Sequence, residues 1–331
     1  MKKLLTILLS VMMVFAMTAC GGSDSSASGD QIKIGVMQFG EFTALQNCYD
    51  GFVAGLEEAG YKDGENIKIN LQSAQADTAN CPTIADSLIN DGSDLIFAIA
   101  TPSVMCAKEK TEDIPVLFSA VTDAVASGLV ASNEEPGGNI SGTSDMNPVA
   151  EQIDLVKELL PDAKKVAVFY CSSETNSAAQ YELAKAQIEK LGMECVQKTI
   201  DTIDNAKSAI ESLQGQVDCI YIPTDNTISD SMTLVAAAAD SVGLPIICGE
   251  PGMVENGATL TFGIDYVELG KQTAAMAVKL LESDDALAEI AKMPVQFQTK
   301  ECVTAINMKS VKALGLDVPA SIMDRAQKMG E

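Results

Sequence analysis

Lys33-Ile34-Gly35-Val36 and Lys165-Val166-Ala167-Val168 open the two halves of this chain in the same way, with a lysine followed by small or β-branched residues. A second matched pair, Asp94-Leu95-Ile96 and Asp218-Cys219-Ile220, lies downstream in each half. The correspondence repeats at a period of about 130 residues, close to the size of an ordinary domain. The chain is therefore predicted to contain two similar lobes.

Helical patterns separate the apolar runs. In the second half, a helix at 175–191 follows the first strand, as a helix does in the first half. Such alternation is typical of βαβ units on a parallel sheet. In the first half, the predicted strands lie at 32–37, 66–71, 94–100, 115–119 and 139–142, and the predicted helices at 45–59, 78–90 and 103–110.

The C-terminal region predicts how the lobes are connected. A helix at 266–281 is followed by strand-like residues at 294–307, so we expect the chain to cross between the lobes three times. The fold class is α/β, with two Rossmann-like lobes that carry parallel sheets. The predicted division assigns 31–143 with 266–293 to the N-terminal lobe, and 144–265 with 294–331 to the C-terminal lobe.

The N-terminus carries a secretion signal. Two lysines precede an apolar stretch at 4–17, and Cys20 follows, in a sequence similar to the lipobox of bacterial lipoproteins. Residues 1–19 are therefore predicted to be a signal peptide, with Cys20 as the site of lipidation and membrane anchoring. The alternative, a membrane-spanning helix, would need roughly 18 to 20 apolar residues. Gly, Ser, Ala and Asp dominate 20–30, which predicts a flexible tether.

Composition excludes several classes of function. The net charge of −24 gives no electrostatic support for binding nucleic acid. Histidine is absent and arginine occurs once, at Arg325, so His-dependent catalysis and guanidinium clamps are not expected. Eight cysteines besides Cys20 lack metal-binding spacing and are interpreted as structural thiols in preference to a disulfide framework. We expect no cofactor, no metal and no enzymatic activity.

Polar residues cluster where the predicted strands end, which is where open α/β sheets bind ligands. Each residue has a simpler explanation as a helix cap, as for Thr101 and Asn147, which both precede proline. Phe39, Phe42 and Tyr170 could stack on a flat ligand or border the core. The candidate ligand-binding residues are Gln38, Phe39, Gly40, Thr101, Ser103, Ser119, Thr122 and Asp123 in the first half, and Ser173, Asn176, Thr224, Asp225, Glu250 and Asp265 in the second.

This mixture of side chains suits a small zwitterion. Helix N-termini with nearby hydroxyl groups can bind a carboxylate without arginine. An ammonium group needs an acidic partner, and Asp225, Glu250 and Asp265 are available on loops of the second lobe.

Several motifs together resemble the ABC-transporter substrate-binding lipoproteins of the tryptophan/tyrosine-binding type. The likeness covers nearly all of 32–329. It is carried by Gly35-Val36-Met37-Gln38-Phe39-Gly40, Ala98-Ile99-Ala100-Thr101-Pro102, Ser119-Ala120-Val121-Thr122-Asp123, Gly137-Gly138-Asn139-Ile140-Ser141-Gly142-Thr143-Ser144, Pro223-Thr224-Asp225-Asn226 and Gly263-Ile264-Asp265-Tyr266.

The resemblance implies a type I periplasmic-binding-protein fold with three hinge strands. It implies delivery of a small-molecule ligand, an amino acid, to an ABC permease with its ATPase. It also implies that Glu250 or Asp225 holds the ammonium group, while first-lobe groups hold the carboxylate. These first-lobe groups would be Thr101, Ser103, Ser119 and Thr122.

Three other functions stay open at this point. A sugar or nucleoside could be the ligand, although such sites usually use Trp, Arg or His, which are scarce here. A ligand-sensing subunit of a membrane receptor would have the same lobes. An extracytoplasmic enzyme would need a paired acid and base, a nucleophile elbow or a metal set, and the sequence contains none of these motifs.

Overall fold

In the computed structural model, which describes residues 31–298 and 302–330, two separate sheets are each covered by helices. The strands are β1 (Ile32–Gln38), β2 (Ile67–Ser73), β3 (Leu95–Ile99), β4 (Val116–Val121), β5 (Ile140–Ser144), β6 (Lys165–Cys171), β7 (Glu194–Ile200), β8 (Cys219–Ile222), β9 (Ile246–Cys248), β10 (Leu260–Gly263), β11 (Gln296–Phe297), β12 (Val303–Asn307) and β13 (Gln327–Met329). The predicted signal peptide, Cys20 and the tether lie outside the described residues.

The helices predicted at 45–59, 78–90, 103–110, 175–191 and 266–281 are present, with small shifts at their ends, and further helices accompany them. They are α1 (Thr43–Glu58), α2 (Cys81–Asn90), α3 (Thr101–Lys110), α4 (Val149–Leu159), α5 (Thr175–Lys190), α6 (Ala206–Glu211), α7 (Asn226–Asp230), α8 (Met232–Ser241), α9 (Pro251–Glu255), α10 (Tyr266–Leu281), α11 (Ala286–Ile290), α12 (Met308–Leu314) and α13 (Ala320–Met323). No helix of the described residues is long and apolar enough to cross a membrane.

The two sheets repeat one strand order. In the first sheet the order is β11-β5-β4-β3-β1-β2, and all neighbours are parallel. In the second sheet the order is β13-β12-β10-β9-β8-β6-β7, with β10 and β12 antiparallel. The arrangement β5-β4-β3-β1-β2 therefore recurs as β10-β9-β8-β6-β7. The predicted α/β class with two Rossmann-like lobes is confirmed.

Burial on both faces explains why the central strands are almost wholly apolar. Every residue of β3 and β4 is buried, as expected for parallel strands with helices on each side. The eight cysteines of the described residues are free thiols, and six of them are buried. Burial raises the pKa of the Cys48 thiol to about 12, which keeps it protonated and unreactive.

The last crossing between the sheets differs from the prediction. The strand-like stretch at 294–307, assigned as a whole to the C-terminal lobe, contains two strands, β11 and β12, which lie in different sheets. Gln296 pairs with Thr143 in the first sheet, so the chain crosses after Phe297 and not before 294. The other boundaries of the predicted division stay predictions.

The crossing segments are tied to one another by hydrogen bonds. The backbone N–H of Ile264 donates to Oδ1 of Asn147 at 3.2 Å. The backbone N–H of Asp265 donates to Oε1 of Gln298 at 2.8 Å. All three connections thus meet at one hinge region beside the cleft.

Helices α1 and α10 pack backbone to backbone on the first sheet. A Cβ atom at Gly51 would lie 2.0 Å from the carbonyl oxygen of Val267, and one at Gly270 would lie 2.0 Å from the carbonyl oxygen of Cys48. Only glycine fits such a close approach. The first lobe therefore includes a helix, α10, that comes from a late part of the sequence.

Candidate functional site

Both lobes contribute to a small cavity between the carboxyl ends of their sheets. Its volume is about 20 Å³, room for roughly one water molecule. The first lobe supplies Phe42, Ala120 and Thr122, and the second supplies Asn176 and Thr224. Asp145, Asp225, Glu250 and Tyr266 also line it.

The lobes are in contact across this cavity. Oγ1 of Thr122 lies 3.5 Å from Oγ1 of Thr224, and Nδ2 of Asn256 donates to Oγ1 of Thr43 at 3.3 Å. A Cβ atom at Gly252 would lie 2.8 Å from Cβ of Thr43. The cleft is therefore closed.

A larger pocket of about 290 Å³ adjoins the small cavity, because Asn176 lines both. Its first-lobe wall comes from the start of α2 and from the length of α3, and includes Cys81, Pro102, Met105, Cys106 and Glu109. Its second-lobe wall comes from the start of α5. The apolar side chains make this the part of the cleft that can accommodate a hydrophobic group.

Asp145 is a buried carboxyl group at the first crossing. Its Oδ2 accepts a hydrogen bond from the Tyr266 hydroxyl at 2.8 Å, and its Oδ1 accepts one from Oγ1 of Thr122 at 3.1 Å. Burial raises the pKa of Asp145, and these two hydrogen bonds oppose the rise. No backbone N–H of another residue and no cation neutralises this carboxylate among the described residues.

Glu250 faces the same cavity from the second lobe. It caps the N-terminus of α9, and one carboxylate oxygen accepts from the Gly252 N–H at 2.5 Å. Burial raises the pKa of Glu250 to about 7; the N–H groups of Gly252 and Met253 oppose the rise, and the charges of Glu255 and Asp145 add to it. The cavity wall contains no lysine or arginine in the described part of the chain, and the chain has no histidine. The site is acidic and lacks a counter-cation.

Asp225 and Glu174 are acidic as well, but their oxygens are already occupied. Asp225 accepts from the backbone N–H groups of Cys171 at 2.7 Å and Ile228 at 3.0 Å, and from Oγ of Ser177 at 2.8 Å. Glu174 accepts from the backbone and side chains of Asn226 and Thr227. Burial and the neighbouring Glu174 charge raise the pKa of Asp225. This pair holds the start of α7 in place.

Gln38 is fully buried, and its side-chain amide has no hydrogen-bond partner within the described residues. It ends β1 and pairs in register with Ile99, which pairs with Ser119. Paired residues share a face of the sheet. Since Cys48 on α1 donates to Ser119 at 2.9 Å, this is the face that α1 covers. The first turn of α1 also contributes to the cavity wall.

Ser103 is the second buried polar side chain that lacks a partner in the described regions. It lies in the first turn of α3, next to Thr101 and Pro102 in the wall of the larger pocket. Thr101 begins this helix and Ala100 occupies the N-cap position, so the predicted N-cap role of Thr101 is wrong. Asn147 does not cap α4 either, because Pro148 takes that position.

Some predicted site residues make hydrogen bonds within their own lobe. Ser119 exchanges hydrogen bonds with Cys48 and with Thr143 at 2.8 Å, inside the first lobe. Asp123 accepts from the backbone of the following turn. Asp265 caps α10 through the N–H groups of its first turn. These three side chains do not line the small cavity.

The aromatic candidates also divide into residues packed inside a lobe and a residue at the small cavity. Phe39 is buried in the core of the first lobe, and Gly40 is buried beside the ring of Phe42. Tyr170 packs in the second lobe against Tyr181, with ring centroids 5.6 Å apart. Phe42 alone of the three candidate stacking residues lines the small cavity.

The remaining candidates meet in the cleft. Thr122, Asn176, Thr224, Asp225 and Glu250 line the small cavity, and Thr101, Ser173 and Asn176 line the larger pocket. Sequence reasoning missed Asp145 and Tyr266. The available signal was an acidic residue directly after the buried strand that ends at Ser144.

Backbone strain accompanies the first-lobe side of the site. Ala100 and Ala120 have φ values of +78° and +56°, in the left-handed region that disfavours residues with a Cβ atom. They lie at the carboxyl ends of β3 and β4, and Ala120 lines the small cavity. Strain of this kind concentrates at binding sites, where the surrounding structure enforces it.

Comparison with known proteins identifies relatives over the whole folded region. The model of the family described as ABC transporter substrate binding protein matches residues 33–329. The tyrosine-binding protein of Clostridioides difficile is 40% identical over 325 residues, which cover 95% of this chain and 93% of that protein.

Two solved structures are also similar. The L-Trp complex of an ABC domain from Streptococcus pneumoniae has a TM-score of 0.85 at 34% identity. The ligand-free, open structure of a Clostridium difficile substrate-binding protein with adhesive properties has a TM-score of 0.68 at 41% identity. Each comparison covers 90% of this chain and 99% of the other. The higher score with the complex, despite lower identity, agrees with the closed cleft seen here.

Proposed function

Because the chain belongs to the ABC transporter substrate-binding protein family and has the type I periplasmic-binding-protein fold, we propose that it binds an aromatic amino acid in its cleft. Tyrosine and tryptophan are the leading candidates. The names of two relatives support this choice, since one is a tyrosine-binding protein and the other was solved with L-Trp.

The observation that carries the proposal is the acidic cavity. Asp145 and Glu250 approach it from opposite sides, retain lone pairs for another donor and have no cationic neighbour in the cavity wall. An ammonium group would supply both charge and donors. We therefore assign ammonium binding to Glu250 and Asp145, while Asp225 supports the second lobe.

The carboxylate would lie on the first-lobe side. The N-terminus of α3 offers free backbone N–H groups and the favourable end of a helix dipole. Ser103 supplies an unpartnered hydroxyl in that turn, and Thr101 lies in the pocket wall. Gln38 has both a donor and an acceptor free, so its amide suits a zwitterion that presents both kinds of group.

The aromatic side chain would occupy the adjoining pocket. Its volume of about 290 Å³ lies at the lower end of the range for ligand sites, roughly 300 to 1,000 Å³. Sulfur atoms of Met105, Cys81 and Cys106 are suitable neighbours for an aromatic ring.

The same proposal covers location and partners. Members of the family are substrate-binding proteins of ABC transporters, and we propose an extracytoplasmic position with a lipid anchor at Cys20. The ligand would pass to a permease and its ATPase. The protein would act by binding and closure, without a chemical step.

A ligand series tests the proposal. L-tyrosine, tyramine, which lacks the carboxylate, and 3-(4-hydroxyphenyl)propionate, which lacks the ammonium, are titrated by calorimetry. L-tryptophan is followed through its own fluorescence, because the protein contains no tryptophan. Tight binding of the complete amino acids and weak binding of both truncated analogues is expected. Equal binding of the propionate would refute the ammonium assignment.

A further inference from the structure

Closure of the cleft brings carboxyl groups together across it. Asp145 directly follows β5 of the first sheet, and its N–H donates to the Val121 carbonyl, whereas Glu250 follows β9 of the second sheet. Both lie on a cavity that holds about one water molecule. The closed cleft therefore buries these two acids, together with Asp225, whose oxygens are bonded within the second lobe, with little solvent and no counter-cation in its wall.

The titratable groups around Glu250 do not offset this charge. Glu255 on α9, Asp145 at the first crossing, Tyr266 on α10 and Cys248 on β9 interact with it electrostatically. Asp145 has Tyr266, Thr122 and Cys48 as its neighbours. None of these groups can become a cation, so repulsion and loss of hydration both oppose closure while the two acids are ionised.

We propose that a proton taken up by the Asp145 and Glu250 pair replaces the ammonium group of the ligand and closes the ligand-free protein. This inference rests on the proposed function, because it assigns regulation to the same site. Neutral pH keeps the empty lobes apart, and either an ammonium ligand or acid brings them together.

The direction follows from the two states of Glu250. In an open cleft its carboxyl is hydrated and the Gly252 and Met253 N–H groups of α9 lower its pKa, whereas burial on closure raises this pKa to about 7. Closure then takes up a proton in a window that extends downward from about pH 7. The ratio of closed to open protein rises up to tenfold for each unit of pH lowered within that window. Above about pH 7 the ratio no longer changes.

Small-angle X-ray scattering of the ligand-free protein from pH 8 to pH 4.5 tests the inference. The radius of gyration should fall with decreasing pH toward the value that L-tyrosine produces at pH 8. Glu250→Gln mimics the protonated side chain and should be compact already at pH 8. Asp145→Asn should move the transition to higher pH, and Glu211→Gln, an exposed position on α6 of the second lobe that does not line the cavity, should behave as wild type.

The outcomes separate the two proposals. Compaction by L-tyrosine at pH 8 with no compaction by acid would overturn proton-driven closure and leave the amino-acid function intact. Acid compaction that persists unchanged in both Glu250→Gln and Asp145→Asn would also overturn it. Compaction by acid without any effect of amino acids would support proton-driven closure and refute the proposed ligand. Melting followed by circular dichroism verifies that each variant is folded.

Discussion

The hydroxyl group of Tyr266 donates a 2.8 Å hydrogen bond to Oδ2 of Asp145, which joins the second crossing of the chain to the first. Tyr266 is the first residue of α10, and Asp145 follows the last residue of β5. A residue of the hinge thus orients a residue of the proposed ligand site. Ligand binding and hinge geometry share this contact.

Tyr266→Phe should weaken amino-acid binding without unfolding the protein. Hydrogen bonds to charged groups contribute about 1.5 to 3 kcal/mol, so calorimetry should show affinity lower by about tenfold or more. Tyr170→Phe is the matched control, since the Tyr170 hydroxyl contacts Gln197 away from the cleft. Unchanged affinity in Tyr266→Phe would show that Asp145 needs no such support.

Glu250→Gln and Asp225→Asn should have different effects. Truncating one partner of a buried charge pair costs about 2 to 5 kcal/mol, so Glu250→Gln should reduce L-tyrosine affinity by at least about 30-fold. Asp225→Asn should mainly lower the free energy of unfolding, by about 1 to 3 kcal/mol, because Asp225 accepts three hydrogen bonds within the second lobe. Urea unfolding and calorimetry on both variants measure this difference. The reverse pattern would restore Asp225 as the ammonium partner.

Gln38→Met should stabilise the ligand-free protein while reducing binding. The substitution removes a buried amide whose unmet hydrogen bonds cost about 1 to 3 kcal/mol, and it keeps a similar volume. Gln152→Met is the control, because Gln152 is equally buried but bonded to Gly249, Phe262 and Tyr221, and should destabilise. Urea unfolding without ligand and calorimetry with L-tyrosine give both readouts. A Gln38→Met variant that is less stable would mean that Gln38 is structural.

Gly270→Ala should destabilise the first lobe by about 3 kcal/mol, because the added methyl group would meet the Cys48 carbonyl. Gly138→Ala has open space around it and should change stability by less than about 0.5 kcal/mol. Thermal melting of the two variants provides the comparison. Equal melting temperatures would show that α1 and α10 can separate without penalty.

Much of the fold could be predicted from the sequence because both lobes use regular periodic patterns. Helix α10 begins and ends at the predicted residues, and the strand starts Lys33 and Lys165 occupy equivalent places in the two sheets. The crossing after Phe297 escaped prediction because β11 has two residues and no pattern of its own. A strand of two residues exists only through its hydrogen bonds to a neighbouring strand. The sequence around residue 297 does not show which strand that neighbour is.

The candidate site was predictable as a region and less so residue by residue. Strand ends correctly located Glu250 and Thr122 at the cavity. The same rule could not tell Asp225 from Glu250, since both are acids that cap a helix after a strand. Their difference lies in which groups occupy each carboxylate: Glu250 bonds only to the N–H groups of its own helix, whereas Asp225 also accepts from the Cys171 N–H and the Ser177 hydroxyl. These two partners belong to a neighbouring strand and helix, which only the assembled lobe supplies.

The close packing of α1 against α10 also has a consequence for biogenesis. Strands β6 to β10 come from one continuous stretch of chain, whereas the first sheet must wait for α10 before its α1 face is covered. Synthesis proceeds from the N-terminus, and domains tend to fold as units when their residues become available. The lobe that emerges first therefore keeps an uncovered apolar face until α10 has been synthesised, and this face is exposed to aggregation while the chain between the two helices is still arriving.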